Sequence, residues 1–191
     1  NQGLVTVNQV LTMGRASSVH TNSGTVNVSG GDWTLAQGGT TPSFTNTGTV
    51  TIGAGRTWTI NNGTLNQNAG GTLNGGGALT LNSVTANFGT AFTLGTLTLN
   101  STTANLTTNI STGVLALNLS SSTINGPGTI TNPAGQTLTL WYSTIGATSA
   151  LDNLGTVVAN GTSAINGPLT TAAGSILRLQ GDNTTGFSTL T

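Results

Sequence analysis

One phrase of this sequence occurs twice: residues 79–88 read LTLNSVTANF and residues 97–106 read LTLNSTTANL. The repetition extends beyond this pair, because Leu117 follows Leu99 at the same spacing at which Leu99 follows Leu81, and Leu138 follows after a slightly longer step. A second apolar position lies seven residues after each of these four leucines: Phe88, Leu106, Ile124 and Ile145. Self-similarity at a nearly fixed period indicates a repeat architecture.

Within the repeats, apolar residues alternate with small polar ones. Trp58 and Ile60 alternate with Thr57 and Thr59, for example. A further phrase, Gly-Thr-apolar followed by a Gly-containing turn and a second strand-like run, begins at Gly24, Gly48, Gly71 and Gly128. Alternation with period two predicts β-strands that have one buried and one wet face, and no helical stripe of useful length is present.

Short strands that recur at intervals of roughly 18 to 23 residues predict an all-β fold, a parallel β-solenoid. The expected form is a right-handed, three-faced β-helix of about nine coils, stacked about 4.8 Å apart in a rod about 45 Å long. We expect residues 1–191 to form a single solenoid segment that belongs to a longer chain or filament.

In such a fold each side chain stacks on its counterpart in the next coil, and we call such a stack a column. The spacing predicts one apolar column of Leu81, Leu99, Leu117 and Leu138, and a second of Phe88, Leu106, Ile124 and Ile145. It predicts an amide column of Asn82, Asn100 and Asn118, because stacked Asn side chains can hydrogen-bond along a stack. Thr80 and Thr98 are expected to stack facing water.

Charge is almost absent from the chain, which has three Arg, three Asp, no Lys, no Glu and a formal net charge of zero. A solenoid accounts for this, since like charges stacked at about 5 Å would repel by nearly 1 kcal/mol even in water. Without a basic cluster the sequence predicts no nucleic-acid binding. No apolar run reaches the roughly 20 residues that a membrane span requires, and cysteine is absent.

Candidate catalytic residues are few. The three aspartates, Asp32, Asp152 and Asp182, are far apart in sequence, and only the last two would approach each other if about 30 residues made one and a half coils. Asp32 and Asp182 lie in Gly-containing stretches typical of turns, and the single His20 has no accompanying motif. The sequence therefore predicts no enzyme, no metal site and no cofactor.

Aromatic residues supply the one surface candidate. Trp33 and Trp58 occupy the position that Leu79 and Leu138 fill in other repeats, so they are expected in the core. Trp141 and Tyr142 are adjacent, which would place them on opposite faces of a strand with one of them exposed. We take this pair as the surface contact candidate.

The Gly-Thr-apolar phrases, the richness in Asn, Thr, Ser and Gly, the absence of Cys and the imperfect, short coils resemble the passenger regions of bacterial autotransporter and filamentous-haemagglutinin-like adhesins. The resemblance covers residues 21–191 and implies a secreted rod at the bacterial cell surface or outside the cell. The NPNG signature of the two-partner secretion domains is missing, since residues 132–135 read NPAG. This departure favours a stalk or repeat region, with glycans or proteins of a host or surface as its partners.

Two other functions fit the same pattern. An uncharged solenoid can stack end to end on copies of itself and form a filament. Outward threonines, such as Thr49 with Thr51 and Thr129 with Thr131, can also match an ice lattice. Against ice binding, Asn replaces Thr in the corresponding repeats and the coil length varies.

Overall fold

In the computed structural model, the chain winds into a parallel β-solenoid of about eight turns, close to the nine predicted. The structure describes residues 1–181 and 188–191. The strands are β1 (Leu4–Val7), β2 (Leu11–Met13), β3 (Val19–Asn22), β4 (Thr25–Val28), β5 (Trp33–Ala36), β6 (Ser43–Asn46), β7 (Thr49–Ile52), β8 (Thr57–Gln67), β9 (Thr72–Asn74), β10 (Ala78–Phe88), β11 (Thr96–Asn100), β12 (Thr103–Leu106), β13 (Ile110–Ser111), β14 (Ala116–Ser120), β15 (Thr123–Asn125), β16 (Thr129–Asn132), β17 (Thr137–Trp141), β18 (Thr144–Ile145), β19 (Ala150–Asn153), β20 (Thr156–Asn160), β21 (Thr162–Ile165), β22 (Leu169–Thr171), β23 (Ile176–Gln180) and β24 (Thr189–Leu190).

Each turn contributes strands to three stacks. The first face consists of β1-β4-β7-β9 and, after an irregular stretch, β13-β16-β19-β22. The second face runs β2-β5-β8-β10-β11-β14-β17-β20-β23 and the third runs β3-β6-β8-β10-β12-β15-β18-β21-β24. The long strands β8 and β10 pass around the corner and belong to both. Every pairing is parallel, which confirms the predicted fold class.

The repeated phrase stacks on itself as predicted. Leu81 pairs with Leu99 and Asn82 with Asn100, and Phe88 pairs with Leu106. Ile124 pairs with Ile145. Thr80 pairs with Thr98, and both side chains are partly exposed on the second face.

The register shifts by two residues at the next turn, and the predicted columns are wrong there. Leu117 pairs with Leu97, whereas Leu119 stacks on Leu99. Leu140 pairs with Leu119, so Leu138 continues the column of Leu97 and Leu117.

The same shift changes the other two predicted columns. Ile124 stacks on Ala104 rather than on Leu106. Asn118 pairs with Thr98, and Ser120 lies over Asn100. The turn that begins at Thr96 is two residues longer than the turn before it, and a slip of two leaves each inward side chain inward.

The core is a set of apolar columns that run along the axis between the three faces. Leu79, Leu81, Leu99 and Leu140 are fully buried in it. Trp58 stacks on Trp33 with ring centroids 4.7 Å apart and planes 5° from parallel, which confirms that both tryptophans belong to the core. Stacking of identical residue types thus replaces the interdigitation found in an ordinary sandwich.

Glycine marks the line where successive turns come closest. A Cβ atom on the glycine of each Gly-Thr phrase would lie between 2.1 and 2.6 Å from a main-chain oxygen of the preceding turn: Gly24, Gly48, Gly71, Gly128 and Gly155. Real Cβ atoms do not approach other atoms so closely. The phrase recurs because the path of the backbone excludes any side chain there.

The corner between the second and third faces is made by one residue per turn in the left-handed conformation. Its members have φ between +48° and +67°: Ser17, Thr41, Asn62, Ser83, Ser101, Ser121, Tyr142 and Gly161. Small polar residues tolerate this region better than branched ones. After Ser83, Ser101, Ser121 and Tyr142 the reversal returns the next residue to the interior, where Val84, Thr102, Ser122 and Ser143 are buried.

Buried polar side chains also form columns, which the sequence analysis did not identify. Asn22, Asn46 and Gln67 are buried and linked by amide hydrogen bonds of 2.8 Å, and Asn132 donates to Asn153 in the same way at 2.8 Å. We call these two stacks the inner amide columns: the first lies at the ends of β3, β6 and β8 on the third face, and the second at the ends of β16 and β19 on the first face. Members also satisfy main-chain carbonyls of a neighbouring turn, as Asn46 does for Thr72 O at 3.0 Å, so the buried amides are paired.

Candidate functional site

Trp141 and Tyr142, the predicted contact pair, lie together at a corner of the rod. Trp141 ends β17 on the outer side of the second face, and Tyr142 follows it with φ +48°. Their rings contact edge to face, 6.1 Å apart, so the prediction of opposite faces was wrong. The strand ends before Tyr142, and the left-handed corner turns that residue outward, leaving it 40% exposed.

A cleft opens beside Trp141 between two neighbouring turns. β14 and β17 lie side by side, but their pairing comprises only Leu119–Leu140 and Ser120–Trp141. The edges formed by residues 116–118 and 137–139 therefore face each other without a ladder. The equivalent strands β11 and β14 pair over their whole length.

Two cavities of about 330 and 340 Å³ occupy this cleft and share Leu117, Asn118 and Thr137 in their walls. Gln136 lines the wide end and Trp141 lines the narrow end. The cleft also exposes part of the core. Leu117 and Leu119 are 8% and 6% exposed, whereas Leu138 and Leu140 are 0% exposed. Val114, 82% exposed, lies on the loop at the wide end.

The charged residues in the described part of the chain, and His20, line neither of these cavities. Asp32 lies in the connection between β4 and β5 and accepts a hydrogen bond from Thr57 N–H of the next turn at 2.9 Å. Asp152 lies on the first face beside Thr131 and Thr170. Asp182 lies outside the described residues, so its approach to Asp152 stays a prediction.

His20 lies in β3, where it pairs with Phe44. It lines a cavity of about 130 Å³ at the end of the solenoid together with Leu11 and Met13. Its pKa lies below the ordinary value, because burial disfavours the imidazolium and the N-terminal ammonium repels it. Within residues 1–181 and 188–191, no three His, Cys, Asp or Glu side chains form a metal-binding group.

Threonine forms a continuous column on the second face. Its five members pair in succession: Thr12, Thr34, Thr59, Thr80 and Thr98. The threonines that the sequence offered as ice-binding candidates lie on the first face instead, where Thr51 lies between Asn27 and Asn74. Turn length varies along the column, since the step from Thr34 to Thr59 is longer than the step from Thr80 to Thr98. The difference in turn length lies in the connections between the strands, so the strands themselves keep their register.

Comparison with known proteins does not assign this chain to a family. No protein-family model matches it, and searches of curated proteins and of solved structures find no match either. Across the described part of the chain, no helix is long and apolar enough to cross a membrane.

Sequence reasoning found Trp141 but missed the cleft. The most visible irregularity of the repeat, its lapse between Thr107 and Leu115, lengthens the step between β11 and β14, yet those two strands pair over their whole length. This irregularity therefore does not mark the cleft, which opens one turn later, between β14 and β17.

Proposed function

We propose that this chain is a non-enzymatic structural rod, a stalk segment of a secreted or cell-surface bacterial protein of the adhesin kind. The continuous stacking of side chains along the axis carries the proposal. The two inner amide columns join successive turns with hydrogen bonds of 2.8 Å. On the outer surface Asn82, Asn87, Asn100 and Asn105 form similar bonds of 2.7–2.8 Å to the preceding turn.

In such an arrangement the side chains hold successive turns together rather than assembling reactive groups. The uncharged surface and the sequence resemblance to adhesin passenger regions support an extracellular location. Stacked polar side chains stabilise a rod without disulfides, which suits a cysteine-free chain that folds after export.

Antibodies against the purified chain test this location. They should label intact producing cells, and an antibody against a cytoplasmic protein serves as the control. Labelling that appears only after permeabilisation would contradict a surface role.

Electron microscopy of the purified chain separates the stalk from the self-assembling alternative. A stalk segment should appear as single rods about 40 Å long, given about eight turns at about 4.8 Å each. Long unbranched fibres one solenoid wide would favour end-to-end assembly instead.

Ice binding is a second candidate, favoured by the threonine column of the second face. Hydroxyls that recur about every 4.8 Å on a flat, uncharged face present a regular array to ordered water. We expect the purified chain to show thermal hysteresis that Thr80→Tyr, in the middle of the column, abolishes. Asn87→Tyr on the third face is the matched control and should retain it. If the chain shows no hysteresis at millimolar concentration, this candidate is excluded.

A further inference from the structure

We propose that the cleft between β14 and β17 binds a neutral oligosaccharide, a function that a stalk does not require. Along the second face, this cleft is the place where two successive strands leave most of their facing edges unpaired.

The main-chain groups in the cleft follow from the alternation of a parallel ladder. Ala116 donates its N–H to Gly95 O of the preceding turn at 3.0 Å, so the next residue, Leu117, directs its N–H and C=O toward β17. The ladder between the two strands begins only at Leu119. The C=O of Thr137 and the N–H of Thr139 point into the cleft from the opposite wall by the same alternation.

A ligand in this cleft has to offer hydrogen-bond donors and acceptors to both walls. Main-chain groups left without partners cost free energy once they are covered. Sugar hydroxyls donate and accept at once, and therefore match walls that present both an N–H and a C=O. Asn118, Gln136 and Thr137 add uncharged polar side chains around the opening.

The charge of the cleft walls and an aromatic ring beside them limit the class of ligand further. None of the charged residues in the described part of the chain lines either cavity, so the site favours a neutral molecule over a phosphate or an acidic peptide. Trp141 stands at the narrow end, partly buried. An indole in that position offers a flat apolar surface on which the C–H face of a sugar ring can pack.

The taper of the cleft argues against an inserted peptide strand. A strand between two others needs a gap of about 9.6 Å, twice the normal spacing, along its whole length. The pair Leu119–Leu140 is already closed, only two residues beyond Leu117. A short, compact ring fits such a wedge better than an extended chain does.

The test measures binding of maltohexaose, cellohexaose and chitohexaose to the purified chain by calorimetry and tryptophan fluorescence. We expect at least one of them to bind, and Trp141→Ala to weaken that binding about tenfold or more. A synthetic peptide of residues 114–122 is the probe for strand insertion.

A reversible closure provides the control for folding. Asn118→Cys with Thr139→Cys places the only two thiols of the chain across the cleft, and their disulfide requires Cα atoms within about 7 Å. Oxidation should abolish the saccharide binding that remains in the reduced form of the same variant, whatever the two substitutions themselves cost in affinity. Thr80→Cys with Thr98→Cys, across a closed pair on the same face, should bind equally in both states.

Three results would overturn the proposal. One is that no saccharide binds to the wild-type chain. Another is that Trp141→Ala binds as tightly as the wild-type chain. The third is that the peptide binds while the saccharides do not, which would assign the cleft to strand insertion.

Discussion

Replacing Trp58 by alanine should destabilise the solenoid by about 4 kcal/mol, the cost typical of removing a large buried aromatic side chain. Trp58 is fully buried. Its ring stacks on Trp33 at 4.7 Å and meets Phe44 edge-on at 5.0 Å. In a solenoid each turn contacts only its neighbours, so the cavity weakens the turns on both sides. Urea unfolding followed by circular dichroism measures the loss.

Trp58→Leu should cost much less, about 1 kcal/mol. Leucine is the residue that the next turn uses at this position, where Leu79 pairs with Trp58. The indole N–H of Trp58 makes no hydrogen bond to any described group, so the substitution also removes an unsatisfied buried donor. Equal losses for Trp58→Ala and Trp58→Leu would contradict this account. Trp141→Ala, at a partly exposed position, is the matched control, with an expected loss of about 1 kcal/mol or less.

Replacing Gly48 by alanine should separate two turns and cost about 3 kcal/mol or more. The added Cβ would lie 2.1 Å from Gly24 O. The backbone cannot yield easily, because Gly48 N–H is bonded to Asn22 O at 3.0 Å and the nearby Asn46 accepts from the Asn22 amide. The stacked pair of Trp33 and Trp58 in the same region reports the loss by fluorescence during urea unfolding.

Gly38→Ala is the control for this substitution. A Cβ at Gly38 would have no neighbour within 4 Å and its φ is not positive, so stability should change by no more than about 0.5 kcal/mol. If Gly48→Ala were as stable as Gly38→Ala, the close approach of turns would not be what excludes side chains from the Gly-Thr phrase.

The fold could be predicted from the sequence because apolar residues recur at the inward positions of successive repeats. The pairs Leu81–Leu99 and Asn82–Asn100 follow directly from the repeated phrase. The predicted columns beyond Leu99 were wrong. An alternation of period two cannot distinguish two repeat lengths that differ by two residues, because both keep the leucines inward. Only the length of the connection between β12 and β14 decides which leucine stacks on which.

Sequence analysis missed the inner amide columns and the corner between the second and third faces for a different reason. Asn22, Asn46 and Asn153 each stand two residues before a glycine and look like turn residues in the sequence. Their burial depends on where the corner bends, which alternation does not reveal. Tyr142 illustrates the same limit, because a left-handed φ at the end of β17 redirects its side chain. The cleft arises where two successive turns do not match, and the sequence of one turn alone does not show whether it matches the next.

The amide columns have a direction as well as a position. In the inner amide columns, Asn22 donates to Asn46 and Asn132 donates to Asn153, toward the C-terminal end. On the outer surface, Asn100 donates to Asn82 and Asn105 to Asn87, toward the N-terminal end. The dipoles of the interior amide bonds therefore oppose those of the surface amide bonds, and the two sets partly offset each other along the axis of the rod.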